Sequence, residues 1–322
     1  MPTLKLEPRL AAVIKKGKTL FDLIIIGGGP AGLTAGIYAK RAGIDTVLIE
    51  KSLPGGIITT TDRVENYPGF PDGISGMELG QRLEDQAKRF GLDIVFGKAI
   101  KLEVINSIKE IYTEEHSYSS KAVIIATGSE PKKLGIPGEE TFIGKGVSYC
   151  ATCDGPFYKD KNVAVIGGGN GALEEALFLT KFAKLVTVIH RRGDLRADKV
   201  LQDKAAANPN IFLKLNTVVD EIKGDDKIRS LKLTDTLSNK KASINVDGVF
   251  IYAGLKPNTD FIKDIIKLDE NGFILTDEKL ATNIPGVFAA GDIRKKGLRQ
   301  VVTSVADGAI AVASVKEWLE SK

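Results

Sequence analysis

Cys150 and Cys153 are the only two cysteines of the 322-residue chain, and they sit together in Cys150-Ala151-Thr152-Cys153-Asp154. Sulfurs at this spacing can close a small disulfide ring. Once the ring is reduced, one thiolate can attack an incoming disulfide and the other can resolve the mixed species. Such chemistry moves protons with electrons, and the Asp154 carboxyl is a candidate general acid beside the pair. Two plainer readings compete. Structural zinc wants four ligands, and the chain offers no second cysteine pair, only His116 and His190. The other is a pair of inert buried thiols.

The dithiol lies between two glycine-rich turns, Gly27-Gly28-Gly29-Pro30-Ala31-Gly32 and Gly167-Gly168-Gly169-Asn170-Gly171-Ala172. Each follows an apolar run (FDLIII, NVAVI) and precedes a helical pattern and a second apolar run (TVLIE, LVTVIH). The same distance along the chain separates Gly27 from Glu50 and Gly167 from His190. One such motif is weak evidence, but two in register predict two Rossmann-type β-α-β units. The first glycine allows the tight turn, and the second lets backbone approach a pyrophosphate. The third small residue packs helix on strand, with the helix N-terminus facing the phosphates.

The tip of the second strand distinguishes the ligands. Glu50 stands where an acid accepts hydrogen bonds from a ribose, which suits the adenosine of FAD or NAD. The second unit has His190 there, followed by Arg191, Arg192 and Arg196. Guanidinium groups grip a 2′-phosphate through charge-assisted bonds, so this site is expected to prefer NADPH over NADH. The bland alternative is a solvated basic loop.

Each unit has a later strand ending in a small-residue turn, at Ala122–Gly128 and Gly248–Gly254, followed by a proline-bearing crossing. The strand before Gly291-Asp292 is assigned back to the first unit. The expected organisation is an extension over 1–20, a first domain over 21–130 and 258–322, and a domain inserted at 131–257. The fold class is α/β, with two three-layer ββα nucleotide-binding domains.

Composition agrees with a globular protein: 43% apolar and 27% charged residues, with a net charge of +4 from 45 basic and 41 acidic side chains. No basic run is long enough for a nucleic-acid stripe. The longest uncharged run, Leu23 to Ala39, is interrupted by Gly27–Pro30 and falls short of the ~20 residues of a spanning helix. Residues 1–20 lack the apolar core of a signal peptide. Two cysteines do not make a secreted disulfide scaffold, so a reducing cytoplasm is the expected compartment.

At this point the chain resembles the low-molecular-weight thioredoxin reductases, a class of FAD- and NADPH-dependent pyridine nucleotide-disulfide oxidoreductases. The resemblance covers residues 20 to 320 and rests on GGGPAGL (27–33), ENYPGF (65–70), ATG (126–128), KGVSYCATCDGPFY (145–158), GGGNGALEEA (167–176), HRRGDLRA (190–197), GVFAAGD (286–292) and RQVVTSVADGAIA (299–311). It implies a homodimer that passes electrons from NADPH to FAD, to Cys150–Cys153, and then to thioredoxin, with Cys153 on the flavin side. FAD would meet Gly27, Gly29, Pro30, Ala31, Gly32, Glu50, Lys51, Gly56, Ile57, Asn66, Thr127, Gly128 and Asp292. Arg299 and Gln300 would lie near its isoalloxazine, and Val301 would also belong to the FAD site. NADPH would meet Gly167, Gly169, Asn170, Gly171, Ala172, His190, Arg191, Arg192 and Arg196. No metal is implied. In this family the NADPH domain swivels to bring nicotinamide and disulfide in turn to the flavin. Two positions depart from the family: Ile57 stands where Gln is usual, and Gly171 where Thr, Ser or Asp is usual. The remaining alternatives are a ferredoxin-fed reductase of the same kind, an NAD(P)H oxidoreductase with another acceptor, and a flavin-bearing redox sensor.

Overall fold

In the computed structural model the described residues are 20–61 and 63–321. The expected extension, apart from Leu20, lies outside them. The chain forms two compact units: the described residues up to Glu130 with those from Lys256 onward, and Pro131 to Leu255.

The first unit is built on Phe21–Ile26, whose residues Leu23, Ile24 and Ile25 are wholly buried. A strand apolar on both faces needs cover on both sides, and parallel sheets provide it. Phe21–Ile26 pairs in parallel with Thr46–Glu50 on one side and with the end of Ser117–Ile125 on the other. Asp93–Phe96 and Val287–Ala289 extend the parallel part. The start of Ser117–Ile125 turns antiparallel and pairs with Ile108–Thr113, which pairs in turn with Ala99–Ile105.

Alternation along the strands sorts the core into two layers. Leu23, Ile25, Leu48 and Ile124 face the helices Pro30–Arg41, Gly76–Arg89 and Val301–Glu320. Ile24, Ile26, Val47 and Ile125 face Leu102, Ile111 and Tyr118 of the antiparallel arm.

The second unit repeats this plan. Its parallel sheet runs in the order Ile211–Lys214, Leu185–Ile189, Asn162–Ile166, Gly248–Ile251, Val147–Ser148. Val163, Val165 and Phe250 face the helices Asn170–Leu179 and Lys199–Ala207. Ala164, Ile166, Val249 and Ile251 face a three-stranded antiparallel sheet, Thr217–Gly224, Ile228–Asp235 and Lys241–Asn245. Two sheets and a helix layer give the ββα architecture.

The chain passes from one unit to the other along Ser129–Pro131 and Leu255–Pro257, which pair with each other as a two-stranded ribbon. Within the first unit, Asn258 closes the ends: its amide nitrogen donates to the Thr127 carbonyl at 2.8 Å, and Thr127 Oγ1 donates back to the Asn258 carbonyl at 3.0 Å.

Candidate functional site

The redox turn is a short helix, Ala151–Asp154, entered from the strand Val147–Ser148, and Cys150 and Cys153 are joined in a disulfide with Cα atoms 5.3 Å apart. Its neighbours hold it from several directions. Ser148 Oγ accepts the Cys150 N–H at 3.0 Å. Tyr149 donates its hydroxyl to Glu139 Oε1 at 2.8 Å. Glu139 also accepts the N–H groups of Leu134 and Gly135 and is 1% exposed. The Tyr252 hydroxyl accepts the Ala151 N–H, between the two sulfurs, at 2.7 Å. Asp154 follows directly. Its charge raises the pKa of Tyr158 toward about 12, although burial of the phenol is the larger cause.

In the first unit Gly27 takes φ of +106°, and a Cβ there would lie 2.5 Å from the Ala126 carbonyl oxygen. A Cβ on Gly32 would lie 1.8 Å from the Gly27 carbonyl oxygen, so turn and helix approach to a distance only glycine permits. Glu50 is buried; its carboxylate accepts the Gly28 N–H and the N–H and hydroxyl of Ser52. It braces the turn, and the same carboxylate could accept hydrogen bonds from a ribose. A carboxylate has about four acceptor positions, so the two roles are compatible.

Gly55 and Gly56 come back against this turn, and a Cβ on Gly56 would lie 2.9 Å from the Gly29 Cα. Ile57 is half exposed at 52%, and Lys51 pairs at the surface with Glu130. Asn66 donates to Gln300 Oε1 at 3.1 Å, which brings together two predicted residues far apart in sequence. Gln300 precedes the helix Val301–Glu320, and Asp292 accepts the Ser304 hydroxyl at 3.2 Å.

Sequence reasoning missed what supports Gly291 and Asp292. Asp307, 5% exposed, accepts the Gly291 N–H and pairs with Arg294 and Lys296. These cations hold its carboxyl below the usual range against the opposing effect of burial.

In the second unit the basic segment folds back over its glycine turn. The N–H groups of Arg196 and Ala197 donate to the Gly168 carbonyl at 2.7 and 3.1 Å. Asn170 and Asp198 exchange two hydrogen bonds of 2.8 and 2.7 Å. The segment is irregular, and the next helix begins only at Lys199, so Arg191, Arg192 and Arg196 all lie on non-helical backbone. His190 lies beneath the turn: a Cβ on Gly168 would sit 2.4 Å from His190 Nδ1. Burial and then the Arg196 charge push the imidazole pKa down, so His190 is neutral at pH 7. Arg191, Arg192 and Arg196 are exposed, and among the described residues none is ion-paired to a carboxylate.

Both turns fit a dinucleotide. The helices Pro30–Arg41 and Asn170–Leu179 start at Gly29 and Gly169 with no side-chain cap and no acid in the first turn, which leaves their amides for an anion. Near the first turn's partner residues, Arg299 stacks on Phe273 at 4.1 Å, and its Nε is buried with no hydrogen-bond partner among the described residues. That donor suits an acceptor on a bound group.

Comparison with known proteins follows this geometry. The sequence matches the pyridine nucleotide-disulphide oxidoreductase family over residues 21–308. A thioredoxin reductase of Listeria innocua is 45% identical over 302 residues, covering 94% of both chains. One of Bacillus subtilis is 43% identical over 302 residues, 94% of this chain and 95% of its own. The crystal structure of thioredoxin reductase from Streptococcus pyogenes superposes with a TM-score of 0.90 at 45% identity, covering 94% of this chain and 99% of that one.

Proposed function

The chain belongs to the pyridine nucleotide-disulphide oxidoreductase family, and on that premise we propose that it is an NADPH-dependent thioredoxin-disulfide reductase. The observation that carries the reading is the Cys150–Cys153 disulfide. It lies in the same unit as a glycine turn whose flanking arginines lack carboxylate partners among the described residues.

FAD, when bound, supplies the two-electron step between nicotinamide and sulfur. Gly27, Gly29, Pro30, Ala31 and Gly32 would hold its pyrophosphate, with Glu50 and Lys51 at the ribose end. Gly56, Ile57, Asn66, Thr127, Gly128, Asp292, Arg299, Gln300 and Val301 would complete the site. In the second unit Gly167, Gly169, Asn170, Gly171 and Ala172 would cradle the NADPH pyrophosphate above His190. Arg191, Arg192 and Arg196 would take its 2′-phosphate. The unit formed by the chain ends is thus the FAD domain, and the inserted unit the NADPH domain.

The remaining steps belong to the redox turn. Opening the disulfide consumes two electrons and leaves one sulfur as thiolate once a single proton is supplied, and Asp154, next in sequence to Cys153, would supply it. The freed thiolate attacks the thioredoxin disulfide, and the second cysteine displaces the mixed species as a new ring closes. The same reading makes the protein a homodimer of a reducing cytoplasm. In support, the chain's two cysteines are both spent on the redox turn, and no described helix is long and apolar enough to cross a membrane.

The test is to treat the flavin-loaded protein with NADPH under argon, alkylate, and locate the label by mass spectrometry. Both Cys150 and Cys153 are expected to be labelled. A flavin that bleaches while the pair stays oxidised would refute the sulfur outlet.

A further inference from the structure

Tyr252 joins the two functional turns of the inserted unit. It ends the strand Gly248–Ile251, and its N–H donates to the Ile166 carbonyl at 2.8 Å, just ahead of the glycine turn. A Cβ on Gly167 would meet the Tyr252 carbonyl oxygen at 2.7 Å and its Cβ at 3.2 Å. From there the ring reaches to the redox turn, where its hydroxyl accepts the Ala151 N–H.

Glu175, on the helix Asn170–Leu179, is near enough that its charge adds to burial in raising the Tyr252 phenol. Phe178 and Leu179 of that helix lie 3.2–3.4 Å from where a Cβ on Gly155 would be, directly behind Asp154. Glu175 Oε2 is shielded from solvent and has no hydrogen-bond partner among the described residues. The charged and titratable groups around the pair are Glu174 on the same helix, Asp154 on the redox turn, and the Tyr252 phenol itself.

Resting on the dithiol reading above, we propose that Tyr252 and Glu175 are positioning residues of the redox turn. Tyr252 fixes the amide between the sulfurs in the disulfide form, and Glu175 makes reduction of that disulfide take up an additional fraction of a proton.

The chemistry balances without a further reagent. With glutathione as reductant, two thiols are oxidised to one glutathione disulfide, and the Cys150–Cys153 bond opens to a dithiol. Where one protein sulfur remains a thiolate, its charge opposes a carboxylate at Glu175, and the carboxyl is held more protonated than before. Burial, and secondarily the Glu174 charge, already raises the Glu175 carboxyl to about 7, so this exchange falls within the working pH range. Compared with the sulfurs alone, the Glu175 carboxyl therefore disfavours reduction as pH rises.

The experiment equilibrates the flavin-loaded protein with glutathione buffers between about pH 6 and pH 8 and reads the alkylated fraction of the cysteine pair. The wild-type equilibrium constant for reduction, relative to that of Glu175→Gln, should fall on the order of threefold to tenfold across this range. Tyr252→Phe should favour the dithiol by on the order of fivefold at each pH, because the Ala151 amide loses its acceptor in the disulfide form. Parallel pH curves for wild type and Glu175→Gln overturn the role of Glu175, and a Tyr252→Phe curve lying on the wild type overturns that of Tyr252. Should Glu175→Gln not fold, Glu175→Met keeps the shape without the charge. The titration uses neither NADPH nor thioredoxin. A failed thioredoxin assay with separated pH curves would sink the functional reading alone, and the reverse pattern would sink only this inference.

Discussion

At the scale of single residues the account depends on sulfur, guanidinium and carboxyl groups. Cys150→Ser or Cys153→Ser should reduce thioredoxin turnover to background while NADPH still bleaches the flavin, since each sulfur is needed to attack or to resolve. Stopped-flow absorbance separates the two events, and normal turnover in either variant would contradict the role of the disulfide. Replacing both Arg191 and Arg192 by Ala removes charge-assisted contacts worth about 1.5–3 kcal/mol each. The KM for NADPH should rise at least about tenfold and that for NADH should hardly change; an unaltered NADPH-to-NADH ratio would show the arginines to be only a solvated loop. Glu175 also makes a stability prediction. Its carboxyl, normally near 4.5, is raised to about 7 in the fold. The native state therefore loses stability as pH climbs from about 4.5 to 7, where the unfolded chain ionises first. Glu175→Gln should match the wild type in thermal stability near pH 4 and exceed it near pH 8. The gain should be on the order of 1 kcal/mol once solvent screening is allowed for. A gain independent of pH would rule out this cause.

At the scale of elements, the two β-turn-α units were legible because their signal is local. An apolar strand, a run of glycines and a helix lie consecutively; the positive φ of Gly27 and the contact of Gly32 with the Gly27 carbonyl both arise within the same motif. Gly32→Ala should therefore displace the Gly27 carbonyl and cost several kcal/mol, of the size seen for overpacking a tight core. Loss of bound flavin with a lowered melting temperature is the expected result, and a variant that retains both would show that the turn can relax. The supports of the site were not legible, because each joins segments remote in sequence. Tyr252 reads as an aromatic at a strand end until its hydroxyl is seen on the Ala151 N–H, 101 residues away. Asp307 reads as one acid on a helix, yet it holds Gly291, Arg294 and Lys296. Glu139 lies in a loop with no motif, yet it anchors both that loop and Tyr149. Irregular backbone hides such partners, as with the segment from His190 to Asp198. Its arginines could be read from composition, but its fold over Gly168 could not.

At the scale of the whole molecule, one plan of parallel sheet, antiparallel strands and helix layer is used twice, and the second copy carries the dithiol. The antiparallel strands continue the parallel sheet in the first unit and form a separate sheet in the second. The described residues up to Glu130 and those from Lys256 onward build the first unit, and Thr127 and Asn258 fasten the two segments where the inserted unit departs and returns. On the proposed function each nucleotide has its own turn and the sulfur pair is the outlet. Steady-state reduction of thioredoxin by the purified, flavin-loaded protein, followed through thiol release from a chromogenic disulfide, tests that electron path most directly. The account predicts sustained turnover with NADPH and little with NADH. Flavin reduction by NADPH without thiol release, or no reduction of the flavin by NADPH at all, would contradict it.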